Sequence, residues 1–311
     1  MRSQKQTFGP WSGDRSGPLA PHFGGRLSLT TATPVTTADV TAAASLYYTE
    51  HLSAMVTLPW RPGRWETFEL PRNPAGVAEI KADFLANSPW ALANATAYDV
   101  FLRLGVAGPE LVRGPAWSSG TARATGLVRS RAGALVLATD PRMVWVGTIY
   151  ASAANQCEDS AAKRFVWNTY NQVARPMKVV EATNSWTYTT AAYRQVNASS
   201  ANQIEFVHGL AEKPVTARAK SFAANSLGAV GVSTGIGLDS TTATSTTLHG
   251  GATIIAGAVA SIDGEYRSVP GIGYHYLAWL EFSNASGTTT WYGDNGTPTE
   301  LQAGLVAEIL G

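Results

Sequence analysis

Short apolar runs separated by turn residues organise most of the chain. The exception is the opening segment, residues 1–25, where Gly9, Pro10, Gly13, Gly17, Pro18, Pro21, Gly24 and Gly25 interrupt any helical or strand period. That segment predicts an N-terminal arm. From Arg26 onward the runs are β-like, at 26–31, 44–49, 54–58, 64–70, 98–104, 134–139 and 143–150. Alternation is clearest where Tyr98, Val100, Phe101, Leu102 and Leu104 stand between Asn94 and Gly105. Pro59, Pro62, Pro71, Pro74, Pro89, Pro109 and Pro115 fall between runs, where a residue without an N–H leaves a strand ladder intact. An antiparallel β domain is expected over 26–157.

Between 158 and 172 the period changes. In EDSAAKRFVWNTYNQ, apolar residues recur every three or four positions, acidic residues open the segment and Arg175-Pro176 follows it. This spacing predicts a short connecting helix over 158–176. Beyond it β-like runs resume at 177–182, 186–190, 192–196, 203–208, 215–222, 229–235, 253–262, 274–282, 288–292 and 301–310. So many short runs in 177–311 predict a jelly-roll-like β-sandwich. The fold class expected is therefore mainly β: arm, antiparallel β domain, connecting helix and C-terminal sandwich. No period of 20 to 50 residues suggests a propeller or solenoid.

Composition sharpens this picture. Only 14% of the 311 residues are charged, against roughly 25% in an ordinary soluble domain. Thr, Ser, Ala and 30 Gly make up the difference. A net charge of +1 provides no basic stripe for phosphates, so nucleic acid is not expected as a partner. The uncharged stretch 240–262 is rich in Thr, Ser and Gly, which argues against a membrane span. No apolar run follows Arg2 and Lys5, so no signal peptide is expected. Scarce surface charge suits a chain whose faces are covered by copies of itself.

Candidate chemistry is sparse. Lone Cys157 has no second thiol, and His22, His51, His208, His249 and His275 lack metal-ligand spacing, so neither a metal nor a cofactor is expected. Gly231-Val232-Ser233-Thr234-Gly235 only approximates a serine elbow and sits in an expected strand. Carboxylates that could cut a polysaccharide are Glu158/Asp159, Asp263/Glu265 and Asp294. Ordinary roles compete with each: the first pair opens the expected helix, and Asp263-Gly264 reads as a hairpin turn. WYGDNG places Trp291 and Tyr292 beside Asp294 and Asn295 in an expected exposed loop, a composition suited to a glycan or receptor. A plain β-turn is the competing account.

Four stretches resemble a family of virion structural proteins of tailed bacteriophages, of tail-fibre, spike and head-fibre type. They are GGRLSLTTATPVTTADVTAAASLYYTEH (24–51), AYDVFLRL (97–104), WSSGTARATGL (117–127) and VWVGTIYASAANQCEDSAAKRFVWNTYNQVARPM (144–177). Residues 71–90 depart from the family pattern. The resemblance implies a non-enzymatic virion subunit assembled in a bacterial cytoplasm. It would be homo-oligomeric, with a trimer expected, bound to tail or capsid proteins through its N-terminal part and facing a host surface glycan. A ligand-free decoration or adaptor protein, and a tail depolymerase using Asp263 and Glu265, remain alternatives.

Overall fold

The computed structural model describes residues 20–61, 63–294 and 300–311. The expected arm, up to Leu19, lies outside the described residues. Its end is anchored: the Phe23 ring is buried and stacks on Tyr170 at 4.2 Å.

The N-terminal half contributes β1 (Gly25–Ser28), β2 (Val40–Ala43), β3 (Ser45–Glu50), β4 (Met55–Arg61), β5 (Arg64–Glu69), β6 (Glu79–Asp83) and β7 (Ala97–Gly105). It continues with β8 (Gly108–Ala116), β9 (Leu127–Arg129), β10 (Leu135–Leu137) and β11 (Asp140–Ala153). Three short strands follow: β12 (Gln156–Asp159), β13 (Lys163–Arg164) and β14 (Val166–Asn168). The C-terminal half holds β15 (Ala174–Val180), β16 (Ser185–Thr187), β17 (Arg194–Gln195), β18 (Gln203–His208), β19 (Val215–Asn225) and β20 (Val230–Leu238). It ends with β21 (Gly250–Ile254), β22 (Ala260–Ser268), β23 (Gly273–Ser283), β24 (Thr289–Tyr292) and β25 (Gly304–Leu310). The mainly β sandwich class is what the described residues form.

The connecting helix is absent: its segment folds as β12, β13 and β14. A tight turn, in which Ser160 and Lys163 exchange backbone hydrogen bonds, reverses the chain between β12 and β13. Two short strands joined this way bury residues at irregular spacings of three and four, which mimic a helical period. Pro59, Pro109 and Pro115 also lie inside strands rather than between them. Among the described residues β8 pairs with β7, and β4 pairs with β5 and, through a bridge at Val56, with Phe23, so at Pro59, Pro109 and Pro115 a missing N–H costs no second ladder.

β7 and β11 pair antiparallel at the centre of the first half. Val100, Leu102, Val144 and Val146 join one core with Leu27, Leu46, Val56, Leu58 and Ile80 from the sheet β1-β3-β6 and the hairpin β4-β5. Phe101 and Trp145 point the other way, against Trp167 and Val207. Both faces of β7 are therefore buried, and its six leading residues show no exposed alternation. In the C-terminal half, β15, β25, β19, β24, β22 and β16 form one sheet. It packs on β18, β20 and β23 around Phe206, Ile236, Trp279, Leu305 and Ile309. The halves are continuous, because β13 pairs antiparallel with β12 and parallel with β18.

Buried charge fastens this junction. Asp99, 4% exposed, accepts hydrogen bonds from Trp145 Nε1 at 2.9 Å, Thr148 Oγ1 at 2.7 Å and Trp117 Nε1 at 3.2 Å. Arg123 Nε adds a fourth at 2.6 Å and its Nη2 a fifth at 3.0 Å. Arg123 lies over the Trp117 and Trp145 rings and donates to the Gly209 carbonyl at 2.8 Å, crossing into the C-terminal half. Gly209 is required there, since a Cβ would lie 2.5 Å from the Trp167 ring.

A second cluster centres on Asp159, bonded to Arg164 at 3.1 Å, Arg175 at 2.8 Å and Thr36 Oγ1 at 2.9 Å. Fully buried Arg26 donates to backbone oxygens of Pro34, Asn171 and Gly311, and desolvation with the Arg175 charge holds its pKa down to about 10.

Asp99→Asn removes the carboxylate and leaves the largely buried Arg123 guanidinium without its counter-charge. Urea denaturation is expected to show a loss of about 3–5 kcal/mol, whereas a loss under about 1 kcal/mol would show that Asp99 is not a central fastening.

Candidate functional site

The WYGDNG segment is not the exposed loop its composition suggests. Trp291 belongs to β24, is 1% exposed and packs with Ala223, Val232, Ile254 and Ile262. Tyr292 is half-buried beside the core, and Asp294 is buried, its backbone N–H bonded to the Glu181 carbonyl at 2.8 Å. Asn295 lies outside the described residues. A ring buried at Trp291 cannot meet a sugar face. The strand continues into this segment because β24 fills the space between β16 and β19.

The groups that look most reactive are enclosed. Cys157 is buried, and burial, followed by the Asp159 charge, pushes its thiol pKa up. Glu281 is fully buried and accepts from Trp186 Nε1 at 2.7 Å, Arg194 Nε at 2.8 Å and the Asn197 N–H at 3.2 Å. Burial nonetheless pushes its carboxyl up to about 7. His208 is buried with no hydrogen-bond partner for either ring nitrogen among the described residues. Burial, then the neighbouring His275, pushes it down to about 4. His275 itself faces acceptors with both nitrogens, Asp239 Oδ2 at 2.8 Å and the Gly271 carbonyl at 3.0 Å. No cluster of three His, Cys, Asp or Glu suited to a metal occurs among the described residues.

What reaches the surface is of two kinds. At one end of the C-terminal sandwich the turns 225–229, 254–260 and 283–289 are tied together by Asn225. This side chain is 2% exposed and donates to the Ser286 carbonyl at 3.0 Å and Thr289 Oγ1 at 2.7 Å; its Oδ1 accepts from the Leu227 N–H at 2.8 Å. Its carbonyl accepts from the Gly257 N–H at 2.9 Å. Gly257, at φ +73°, makes the turn between β21 and β22, so the expected hairpin at Asp263-Gly264 does not form and both residues lie inside β22. The three turns contain no charged residue, yet present Leu227 at 52%, Ile255 at 77% and Val259 at 48% exposure.

The second feature is the outer face of the sheet formed by β15, β25, β19 and β22. Strict alternation turns Thr216, Arg218 and Lys220 of β19 outward while Val215, Ala217 and Ala219 face the core. β25 does the same with Val306 and Glu308, and β22 with Glu265 and Arg267. Two adjoining hollows, of about 530 and about 260 Å³, share Arg218 and Val306. Asp263 is ion-paired to Arg218 at 3.1 Å, and Glu265 stands opposite Arg218 in register. The other carboxylate pair is split: Glu158 contacts Lys163 at 3.6 Å, while Asp159 is buried. Composition alone missed both surfaces, although apolar residues beside glycine in SLGAV and IIAGAV, and the alternation in TARAKS, are their signals.

No protein-family profile matches the chain, and no curated protein matches it in sequence. Among solved structures it is similar to the insecticidal delta-endotoxin Cry8Ea1 of Bacillus thuringiensis, at 7% identity and a TM-score of 0.26, over 93% of this chain and 52% of the toxin. The chain thus spans about half of that protein. A chain of infectious bursal disease virus, Gx strain, is similar at 11% identity and a TM-score of 0.30, covering 89% of this chain and 73% of that one. The stem and receptor-binding domain of spike protein P1 from bacteriophage PM2 is similar at 11% identity and a TM-score of 0.22, covering 88% and 98%. The neighbours thus include virus particle proteins, but likeness this slight carries no argument about function.

His208 sets a pH prediction. Its folded pKa lies below the ordinary value of 6.5, so it contributes stability above pH 6.5 that is lost as pH falls through about 4. His208→Phe should therefore gain stability relative to the parent by up to about 3 kcal/mol between pH 6.5 and 4, read from urea midpoints. An unchanged difference across that window would show that His208 does not titrate with folding.

Proposed function

We propose that this chain is a non-enzymatic structural subunit of a bacteriophage-type particle, a homo-oligomer with the trimer as its expected state. In this reading it is assembled in the bacterial cytoplasm and held on the virion, as a tail-fibre, spike or head-fibre component, through its N-terminal part. Its C-terminal sandwich faces the host cell.

One observation carries the reading: three hydrogen-bonded, uncharged turns hold Leu227, Ile255 and Val259 in water at the end of a mainly β scaffold. Aliphatic side chains brought to one end of a sandwich by adjoining turns suit a contact surface. The family-like stretches support the same reading from the other half, since residues 97–104 and 144–150 make up much of β7 and β11.

Antibody labelling of purified particles in the electron microscope tests the placement. Label at particle surfaces supports it, and a chain found only in the soluble fraction contradicts it. A double variant, Leu227→Ser with Ile255→Ser, should leave folding stability within about 0.5 kcal/mol and incorporation unchanged, while lowering particle adsorption to host cells at least tenfold. Unchanged adsorption would remove the tip from host contact.

A further inference from the structure

The sheet face carries a chemistry that the particle assignment does not use. Alternation along four neighbouring strands makes an open trough whose two lobes differ in charge. The smaller lobe is lined by Lys178, Arg218, Lys220 and Gln302 over a floor of Gly304 and Val306, with no carboxylate in its lining. Among the described residues no carboxylate lies within ion-pair distance of Lys178 or Lys220, although Asp263 stands opposite Lys220 in register and pairs with Arg218; Lys178 Nζ reaches Gln302 Oε1 at 3.4 Å. Gly304 keeps that floor low, since its Cβ would lie 2.7 Å from the Val179 carbonyl. The larger lobe mixes donors and acceptors: Thr216, Thr247 and Arg267 beside Glu265 and Glu308.

We propose that this trough binds an acidic oligosaccharide, with a sugar carboxylate in the basic lobe and neutral sugar hydroxyls in the mixed lobe. Each part matches a chemical need. Two ammonium groups with no ion-pair partner favour one carboxylate, and Arg218, paired with Asp263 at 3.1 Å, adds the N–H donors that this pair leaves free. Hydroxyls both donate and accept, and so use Thr216, Thr247, Glu265 and Glu308 together. Val306, 45% exposed and shared by both lobes, offers an apolar contact to the C–H face of a ring. The larger lobe lies within the roughly 300–1,000 Å³ typical of small-ligand sites. Nucleic acid fits poorly, because no exposed aromatic ring lines the trough for stacking and the carboxylates of Glu265 and Glu308 repel a run of phosphates.

The inference deepens the host-contact reading by naming a ligand class, and rests on it only for the ligand's source. Its test uses the isolated full chain, so failure here leaves the particle placement standing, and a chain absent from particles leaves this binding result standing. Calorimetric titrations with sialyllactose and with a neutral trisaccharide ending in one glucuronate, each carrying a single carboxylate, at low and high salt, are compared with maltohexaose and with a polyphosphate of six units. We expect at least one acidic sugar to bind at least tenfold more tightly than maltohexaose and the polyphosphate. Lys178→Gln with Lys220→Gln should lose at least tenfold of that affinity at an unchanged melting temperature, and Glu308→Gln should weaken it severalfold. Binding of neither acidic sugar, binding that the double variant leaves intact, or tighter binding of polyphosphate overturns the proposal.

Discussion

One carboxylate organises the contact between the two halves. Asp99 is carried out of water by the doubly buried strand β7 and meets five donors from three side chains of its own half and the guanidinium of Arg123. A buried charge is tolerated only when such donors are in place, so the loop bearing Trp117 and Arg123 must close over it. Once closed, that loop sits against the other half: Arg123 holds the Gly209 carbonyl and Gly120 accepts from the Tyr274 N–H at 2.8 Å. Gly273, at φ +103°, permits this approach, since a Cβ there would lie 2.1 Å from the Gly120 carbonyl. The second cluster, around Asp159 and Arg26, draws on β1, β12, β13 and β15 and binds the same junction from another side.

Much of this fold was legible as strand because β propensity and turn punctuation agree. The runs at 203–208, 215–222 and 274–282 each fall within one strand. The errors share a physical cause, that tertiary partners decide what local pattern leaves open. Phe165, Val166 and Trp167 look helical until Val166 and Phe165 are assigned to one core and Trp167 to another. Trp291 looks exposed beside glycine and polar residues, yet pairs with Trp186 and Ala223 inside the sheet. Run 253–262 hides a turn at Gly257 that only its φ declares. Asn225 has no signal in the sequence, because its role depends on three turns meeting around it.

The small charge complement takes on a different meaning once placed. Arg26, Glu79, Asp99, Asp159, Arg164, Arg175, Glu181 and Glu281 are all buried, so the surface is poorer in charge than the composition implies. Among the outward charges, several gather on the trough, while the tip turns have none. A scaffold fastened internally by ion pairs can expose neutral Thr, Ser, Gly and aliphatic residues rigidly, which is what the proposed contacts with copies of itself and with a host surface require.

That proposal turns on association. Native mass spectrometry of the full chain, from low micromolar concentration upward, addresses it most directly. The account predicts a single closed homo-oligomer, with three copies as the expected mass, persisting on dilution. A strictly monomeric chain across the whole concentration range would contradict it.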